Sequence, residues 1–343
     1  MPIITDPHAV RALYAEAAEK GFLIPGLGAE NRDTLECCFR AAKRLGEEIG
    51  VPNIALCTSV TGRYGGRSQL VNYTSLGCAV EGLLAFADDM RALLRPGGPF
   101  DKLRVHAHLD HGQPGLDDDL FEVGRGVFGS VMYDASALSL DENREKTAKF
   151  VSEWKDVYLI EGAVDEITEY GGAHAPDDDL TKPEDARLFL DETGVDLIVV
   201  NVGTEHRATA DRVKYHGDRA RSIAEVAGGK MVLHGSSSLG DQPLGSIAQD
   251  GFVRFNMWTG LETKAGQALA RDTIRNLHHL LPTSEVRELV DEGWLGGNYR
   301  DTEAHPSLEY LPHQYRRDKV WAPALEDVLH GVLSQCGYER IRS

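Results

Sequence analysis

The stretch VHAHLDHGQP at residues 105–114 begins as an apolar run and ends in a turn, yet it carries three histidines and an aspartate between His106 and His111. A strand covered on both faces cannot hold that many ionisable groups unless a metal, a substrate or a polar network takes them up. The stretch therefore reads as the end of a buried strand that opens onto a site. Seven other runs share its character: FLIPGL (22–27), NIALCT (53–58), VFGSVMY (127–133), VYLIEG (157–162), DLIVVNVG (196–203), MVLHG (231–235) and FVRFNM (252–257). All are near-continuous apolar runs rather than alternations, as strands buried on both faces require. Helical patterns lie between them, such as residues 34–50 and residues 182–194, the latter with Pro183 near its start and Gly194 just past its end. Eight alternations of strand and helix place the chain in the α/β class as a (β/α)8 TIM barrel. A doubly wound open sheet is the alternative, but no GxGxxG follows the first run.

The totals agree with one large barrel. The chain has 343 residues, 42% apolar and 26% charged, an ordinary globular composition with room for a sizeable core. We read residues 1–343 as a single barrel domain. Residues 261–322, rich in Gly, Pro and aromatics in their second half, form an extended C-terminal helical and loop excursion suited to contacting a neighbouring subunit. The net charge of −18 argues against nucleic acid and anionic membrane surfaces as partners. The five cysteines, Cys37, Cys38, Cys57, Cys78 and Cys336, are odd in number and form no CxxC. Core thiols in a reducing compartment are expected, not a disulfide framework or a cysteine zinc site. No basic segment followed by an apolar run opens the sequence, and no apolar run reaches the roughly 20 residues of a membrane span. The expectation is a cytoplasmic protein.

Catalytic groups of a barrel gather where the strands end. The runs end on Asp110 and His111, on Asp134, on Glu161, on His206, on His234 and on Asn256. Three histidines from three strands, with a fourth position open, describe a catalytic zinc site. Spacing alone leaves a set of hydrogen-bonded structural histidines equally open. His108 reads as support behind the site, and His106 as part of the packing or of a polar network.

The segments HLDHG, SVMYDAS, TGVDLIVVNVGTEH, MVLHGSSS and FVRFN, in that order and at fitting distances, resemble the class II, metal-dependent fructose-bisphosphate and tagatose-bisphosphate aldolases. The resemblance covers most of the chain. It implies the same barrel fold, Zn2+ or another divalent ion with a monovalent cation nearby, a small carbohydrate substrate, and a homodimer or homotetramer. It implies that His111, His206 and His234 hold the metal, with Glu161 and Asp134 in or beside its alternative resting place. The metal would polarise a ketone oxygen and stabilise the enediolate left by carbon–carbon cleavage. Asp110 would exchange a proton with the hydroxyl that becomes the aldehyde, and Asn256 would contact the enediolate. Gly203, Gly235 and Ser237 would hold the donor's phosphate and the monovalent ion. Ser59, Arg207, Ser236, Ser238, Trp258 and Thr259 join them as substrate-binding candidates.

Several positions depart from the family pattern. Ala163 stands where a second glutamate is usual on the fifth strand. The loop glutamate that handles the proton beside the carbonyl is replaced by His174, Glu169 or Asp177, with His174 nearest its place. Arg207, Ser236 and Ser238 replace glycines, Trp258 an aspartate and Gly28 an asparagine. These changes cluster around the donor, not the metal. They point to a substrate other than fructose 1,6-bisphosphate, such as a sugar acid or an unphosphorylated ketose, with Arg207 pairing a carboxylate. A phosphate among Ser236, Ser237, Ser238 and Arg207 is the other reading, and drift without consequence a third. The leading function is a zinc-dependent aldol lyase. An epimerase or isomerase using the same enediolate and a non-catalytic accessory subunit are the alternatives. A Schiff-base aldolase is disfavoured because Lys230 precedes its strand.

Overall fold

Each of the eight apolar runs becomes a strand in the computed structural model, which describes residues 3–166, 180–204, 215–239, 243–305 and 307–342, and not the Ser238 side chain. The strands are β1 (Ile24–Gly28), β2 (Ala55–Thr61), β3 (Arg104–Gly112), β4 (Phe128–Tyr133), β5 (Leu159–Ala163), β6 (Leu197–Val199), β7 (Met231–Leu233) and β8 (Phe252–Met257). They close a parallel barrel in chain order, with β8 pairing back onto β1. β6 is shorter than the expected 196–203. Beyond Val199 the chain leaves the ladder: Asn201 N–H bonds Thr181 Oγ1 at 2.7 Å, and Thr181 N–H bonds the Asn201 carbonyl at 3.0 Å.

The expected helices form over Arg32–Ile49 and Pro183–Thr193, and the second stops on Gly194 at φ 69°. The contact map divides the chain into two compact units, Met1–Thr259 with His330–Ser343, and Gly260–Leu329. The first contains the barrel. All five cysteines are free; four are buried as expected, but Cys78 is exposed. It stands just ahead of the helix Ala79–Leu93, outside the core its apolar sulfur suits. Among the described residues, no helix is long and apolar enough to cross a membrane.

The barrel interior is polar along one line. Arg254 of β8 is wholly buried and ion-paired with the equally buried Glu161 of β5. It also donates to His108 Nε2 at 3.2 Å and to the Tyr14 hydroxyl at 3.4 Å. Because Nε2 accepts, the His108 proton sits on Nδ1 and meets Ser130 Oγ at 2.8 Å. His106 Nε2 lies 3.2 Å from the Tyr14 hydroxyl, while its buried Nδ1 has no partner among the described residues. Burial, reinforced by the Arg254 charge, pushes His108 down to about 3 and His106 well below its usual value. Both rings are neutral.

The unfolded chain gains a proton at each of these sites below about pH 6.5, and the folded chain does not. Stability is therefore expected to fall as pH drops from about 6.5 toward 3, by up to about 1.4 kcal/mol per pH unit for each histidine. Urea unfolding at pH 7.5 and 5.5 checks this. His106→Leu should weaken the dependence, and equal slopes for the two proteins would refute the account.

Candidate functional site

Asp110 and His111 are consecutive on β3, and strand alternation turns consecutive side chains to opposite faces. His111 escapes this through a φ of 51°, the only positive φ of a non-glycine among the described residues. That left-handed conformation costs about 1–2 kcal/mol. The register with β4 shifts between Leu109 and Gly112 in the same place. Asp110 and His111 thereby line one cavity although both are almost fully buried.

His111 is held on two sides. Its Nδ1 lies 2.6 Å from Asp134 Oδ2, and Tyr64 stacks on the ring at 4.4 Å. Asp134 Oδ1 in turn accepts from the Ser136 hydroxyl at 2.6 Å and from its N–H at 3.2 Å. With Nδ1 committed to Asp134, Nε2 is the nitrogen turned toward Asp110, 4.0 Å from its Oδ1. Burial opposes charge on the ring, but Asp110 and Asp134 outweigh it and raise its affinity for a proton or a cation.

His234, just past β7, meets the His111 ring edge-on at 5.0 Å. One ligand atom each from Asp110, His111 and His234 lie within 4.8 Å of one another. Two imidazoles and a carboxylate make a nitrogen and oxygen donor set suited to a divalent ion, so the residues present fit the metal that the sequence implies. Asn256, on β8, ties the group together: its Nδ2 lies 3.1 Å from Asp110 Oδ1 and 3.1 Å from His234 Nε2. Glu161 Oε1 approaches the same His234 nitrogen at 3.2 Å. Burial by itself raises the Asp110 pKa, but His111, Arg67 and His234 hold the carboxyl well below the usual range.

The cavity is also lined by Ser59, Gly235, Ser236, Ser237, Trp258 and Thr259. The Ser236 hydroxyl donates to the Asn256 carbonyl at 2.5 Å. A second hollow shares His111 and Tyr64 and holds Asp134 and Ala163. Gly203 lies outside both linings; its N–H bonds Asn201 Oδ1 at 3.0 Å. His206, Arg207, His174, Glu169 and Asp177 lie outside the described residues, as does the Ser238 side chain.

Two of the noted departures prove to be one. A Cβ on Gly28 at the end of β1 would lie 2.9 Å from Trp258 Cδ1, so the indole occupies the space a side chain at 28 would fill.

The sequence reading overlooked three residues. Arg254 was visible as a charge within the apolar run FVRFNM. Tyr64 and Arg67 sit in TGRYGGRS, the loop after the second strand, and only a reading of whole loops at the catalytic rim finds them. Arg67 Nη2 reaches Asp110 Oδ2 at 2.5 Å.

Comparison with known proteins gives the family and the fold. A sulfofructosephosphate aldolase from Alkalicoccus urumqiensis is 31% identical over 166 residues, which are 46% of this chain and 55% of that one. A fructose-bisphosphate aldolase from Giardia intestinalis is 34% identical over 142 residues, 38% and 42% of the two chains. One from Thermus caldophilus is 29% identical over 220 residues, 62% and 64%. The chain thus spans about half the length of the curated relatives it matches. Among solved structures, the YdjI aldolase of Escherichia coli K12 superposes at TM-score 0.64 and 18% identity over 96% of this chain and 97% of that one. The fructose-bisphosphate aldolase of Campylobacter jejuni superposes at 0.69 and 18%, over 96% and 93%. These likenesses carry the fold. The family description "Fructose-bisphosphate aldolase class-II" matches residues 8–301, and the chain belongs to that family.

Proposed function

We propose that this protein is a metal-dependent aldol lyase that cleaves a ketose or sugar phosphate other than fructose 1,6-bisphosphate. The observation that carries the reading is the convergence of Asp110, His111 and His234 on one cavity, with Asn256 bonded to both Asp110 and His234. His111 and His234, joined by His206, are the proposed holders of Zn2+, and Asp134 and Glu161 support the first two. The bound ion supplies Lewis-acid polarisation of the substrate ketone.

The chain's own groups do the rest. Asp110 is held ionised, ready to take the proton of the hydroxyl that becomes the aldehyde. As it does so the adjacent carbon–carbon bond breaks, and the electron pair stays with the ketone half. In the reverse direction Asp110 returns the proton. Asn256 Nδ2 is placed to donate to the developing negative charge. Ser59, Ser236, Ser237 and Thr259 offer hydroxyls to the rest of the substrate. Trp258 fills the volume beside Gly28, which favours a substrate shaped differently there. That a relative is named for sulfofructosephosphate supports variation of substrate within this family. His174, or Glu169 or Asp177, is the proposed partner for the proton beside the carbonyl, and Gly203 and Arg207 are proposed contacts for the substrate's anionic end.

Elemental analysis should find about one divalent ion per chain, as a three-ligand catalytic site implies. A chelator should abolish cleavage, and Zn2+ should restore it; activity indifferent to chelator would defeat the reading. Asp110→Asn should lower kcat by about 10²–10⁴-fold while the chain still binds its ion. Mass spectrometry of the products must find two fragments, because a single product of unchanged mass means an epimerase or isomerase. We also propose a homo-oligomer assembled through residues 261–322, supported by the exposed Ile274, Trp294, Leu308 and Leu311 there. Light scattering should give a dimer or tetramer that Trp294→Glu with Leu308→Glu weakens, and a monomeric wild type would dispose of it.

A further inference from the structure

The loop after β2, residues 62–68, reaches the site with two side chains: Tyr64 stacks on His111, and Arg67 pairs with Asp110. Between them lie Gly65, where a Cβ would meet nothing within 4 Å, and Gly66 at φ 76°. Two adjacent glycines are a pliant support for aimed side chains, so the loop must be fixed from outside. Its base is closed by Thr61 and Gln69. Thr61 N–H bonds Gln69 Oε1 at 2.9 Å, and Gln69 N–H bonds Thr61 Oγ1 at 3.1 Å. Its flank is held by Asp117, in the loop after β3, just ahead of the helix Asp118–Val123. The Asp117 side chain is wholly buried. Its Oδ1 accepts the Arg63 N–H at 3.0 Å, and its Oδ2 accepts the Gln113 N–H at 3.1 Å. One carboxylate thus joins two loops of the rim, the second of them two residues past His111. The Arg63 guanidinium reinforces the join. It forks onto both Asp119 oxygens at 2.7 Å, donates to the Leu116 carbonyl at 2.9 Å and meets Asp117 Oδ1 at 3.4 Å. The loops approach so closely that a Cβ on Gly62 would overlap Asp117 Oδ1 and stand 2.6 Å from Leu120 Cδ1.

We propose that Arg63 and Asp117 are positioning residues, which staple the loop after β2 to the loop after β3 and so hold Tyr64 against His111 and Arg67 against Asp110. This rests on the lyase reading above, in which His111 holds a divalent ion. Neither residue lines the cavity that contains Asp110, so both act through Tyr64 and Arg67. A partly exposed ion pair such as Arg63 with Asp119 contributes little by itself. A buried carboxylate deprived of its N–H donors is costly. The strength of the staple therefore lies at Asp117, and Arg63 directs the loop onto it. Tyr64 in turn fixes the plane of the His111 ring, as groups behind a metal-ligating histidine do.

The test measures the Zn2+ affinity of the full chain by competition with a chelator, so no substrate is needed. Arg63→Met should weaken it about 10-fold, the low end of what lost support behind a metal ligand costs. Arg63→Lys keeps the charge without the fork and should recover part of the loss. Gly62→Ala, which wedges the loop off Asp117 from the other side, should weaken the affinity in the same sense. In a Tyr64→Ala background, Arg63→Met should change it by less than about 2-fold, the scatter expected of such comparisons. Equal losses in both backgrounds overturn the proposal, because Arg63 would then not act through Tyr64. So does a wild-type affinity in Arg63→Met. A second arm needs no metal. Amide hydrogen exchange over residues 61–72 should be about 10-fold faster in Arg63→Met, the factor that one charge-assisted hydrogen bond gives, while the barrel strands keep their protection. Unchanged exchange in the loop overturns the proposal, and so does exchange accelerated throughout the barrel. If the wild type binds no ion but the loop exchange depends on Arg63, the lyase reading falls and the staple stands.

Discussion

The buried pair of Arg254 and Glu161 is the constraint on which the site depends. Neither side chain touches water, and each would be costly to bury alone. Removing one partner of such a pair costs about 3–5 kcal/mol. Here the pair does more than neutralise itself. Glu161 reaches His234 at 3.2 Å, and Arg254 reaches Asn256 Oδ1 at 3.1 Å and His108 Nε2 at 3.2 Å. One ion pair in the barrel axis therefore orients a proposed metal ligand, the amide that bridges to Asp110, and the neutral histidine beneath. The polar groups that looked excessive on a single strand are one network supplied by several strands.

A second support lies at the rim, on the other side of the two histidines. Asp134 and Tyr64 hold His111 from one face and the ring plane, while Asp110 is gripped by Asn256 and Arg67 at its two oxygens. Each proposed reacting group has neighbours that fix its direction. The cavity they surround is open, so the order lies in the walls and the freedom is left to what enters.

Much of this was legible in the sequence. The eight strands announced themselves because strands buried on both faces must be apolar runs, and a barrel puts the ends of all of them at one opening. That single rule located Asp110, His111, His234 and Asn256 without any view of the fold. It failed where local backbone geometry overrides the rule. Parity along β3 separates His111 from Asp110, and nothing in the letters HLDHG signals the left-handed turn that reunites them. It failed again for Arg67, which comes from a loop whose path no periodicity describes. Arg254 was legible in principle, since a charge in the middle of an apolar run demands an opposite partner. The residues in 167–179 and 205–214, with His174, His206 and Arg207 among them, lie outside what is described. For the site, then, the strand-borne half could be read and the loop-borne half could not.

The contact between Gly28 and Trp258 has a historical consequence. With any side chain at 28, a Cβ stands 2.9 Å from where the indole ring must lie. A lineage can lose the side chain at 28 first, leaving a small void, and then fill it with tryptophan. The opposite order places a Cβ at 28 within 2.9–3.0 Å of Trp258 Cδ1 and Cβ, so one of the two residues must shift. The same holds in reverse: to restore a side chain at 28, the tryptophan must first be surrendered. The two positions are therefore coupled, because a side chain at 28 and the indole at 258 compete for one volume.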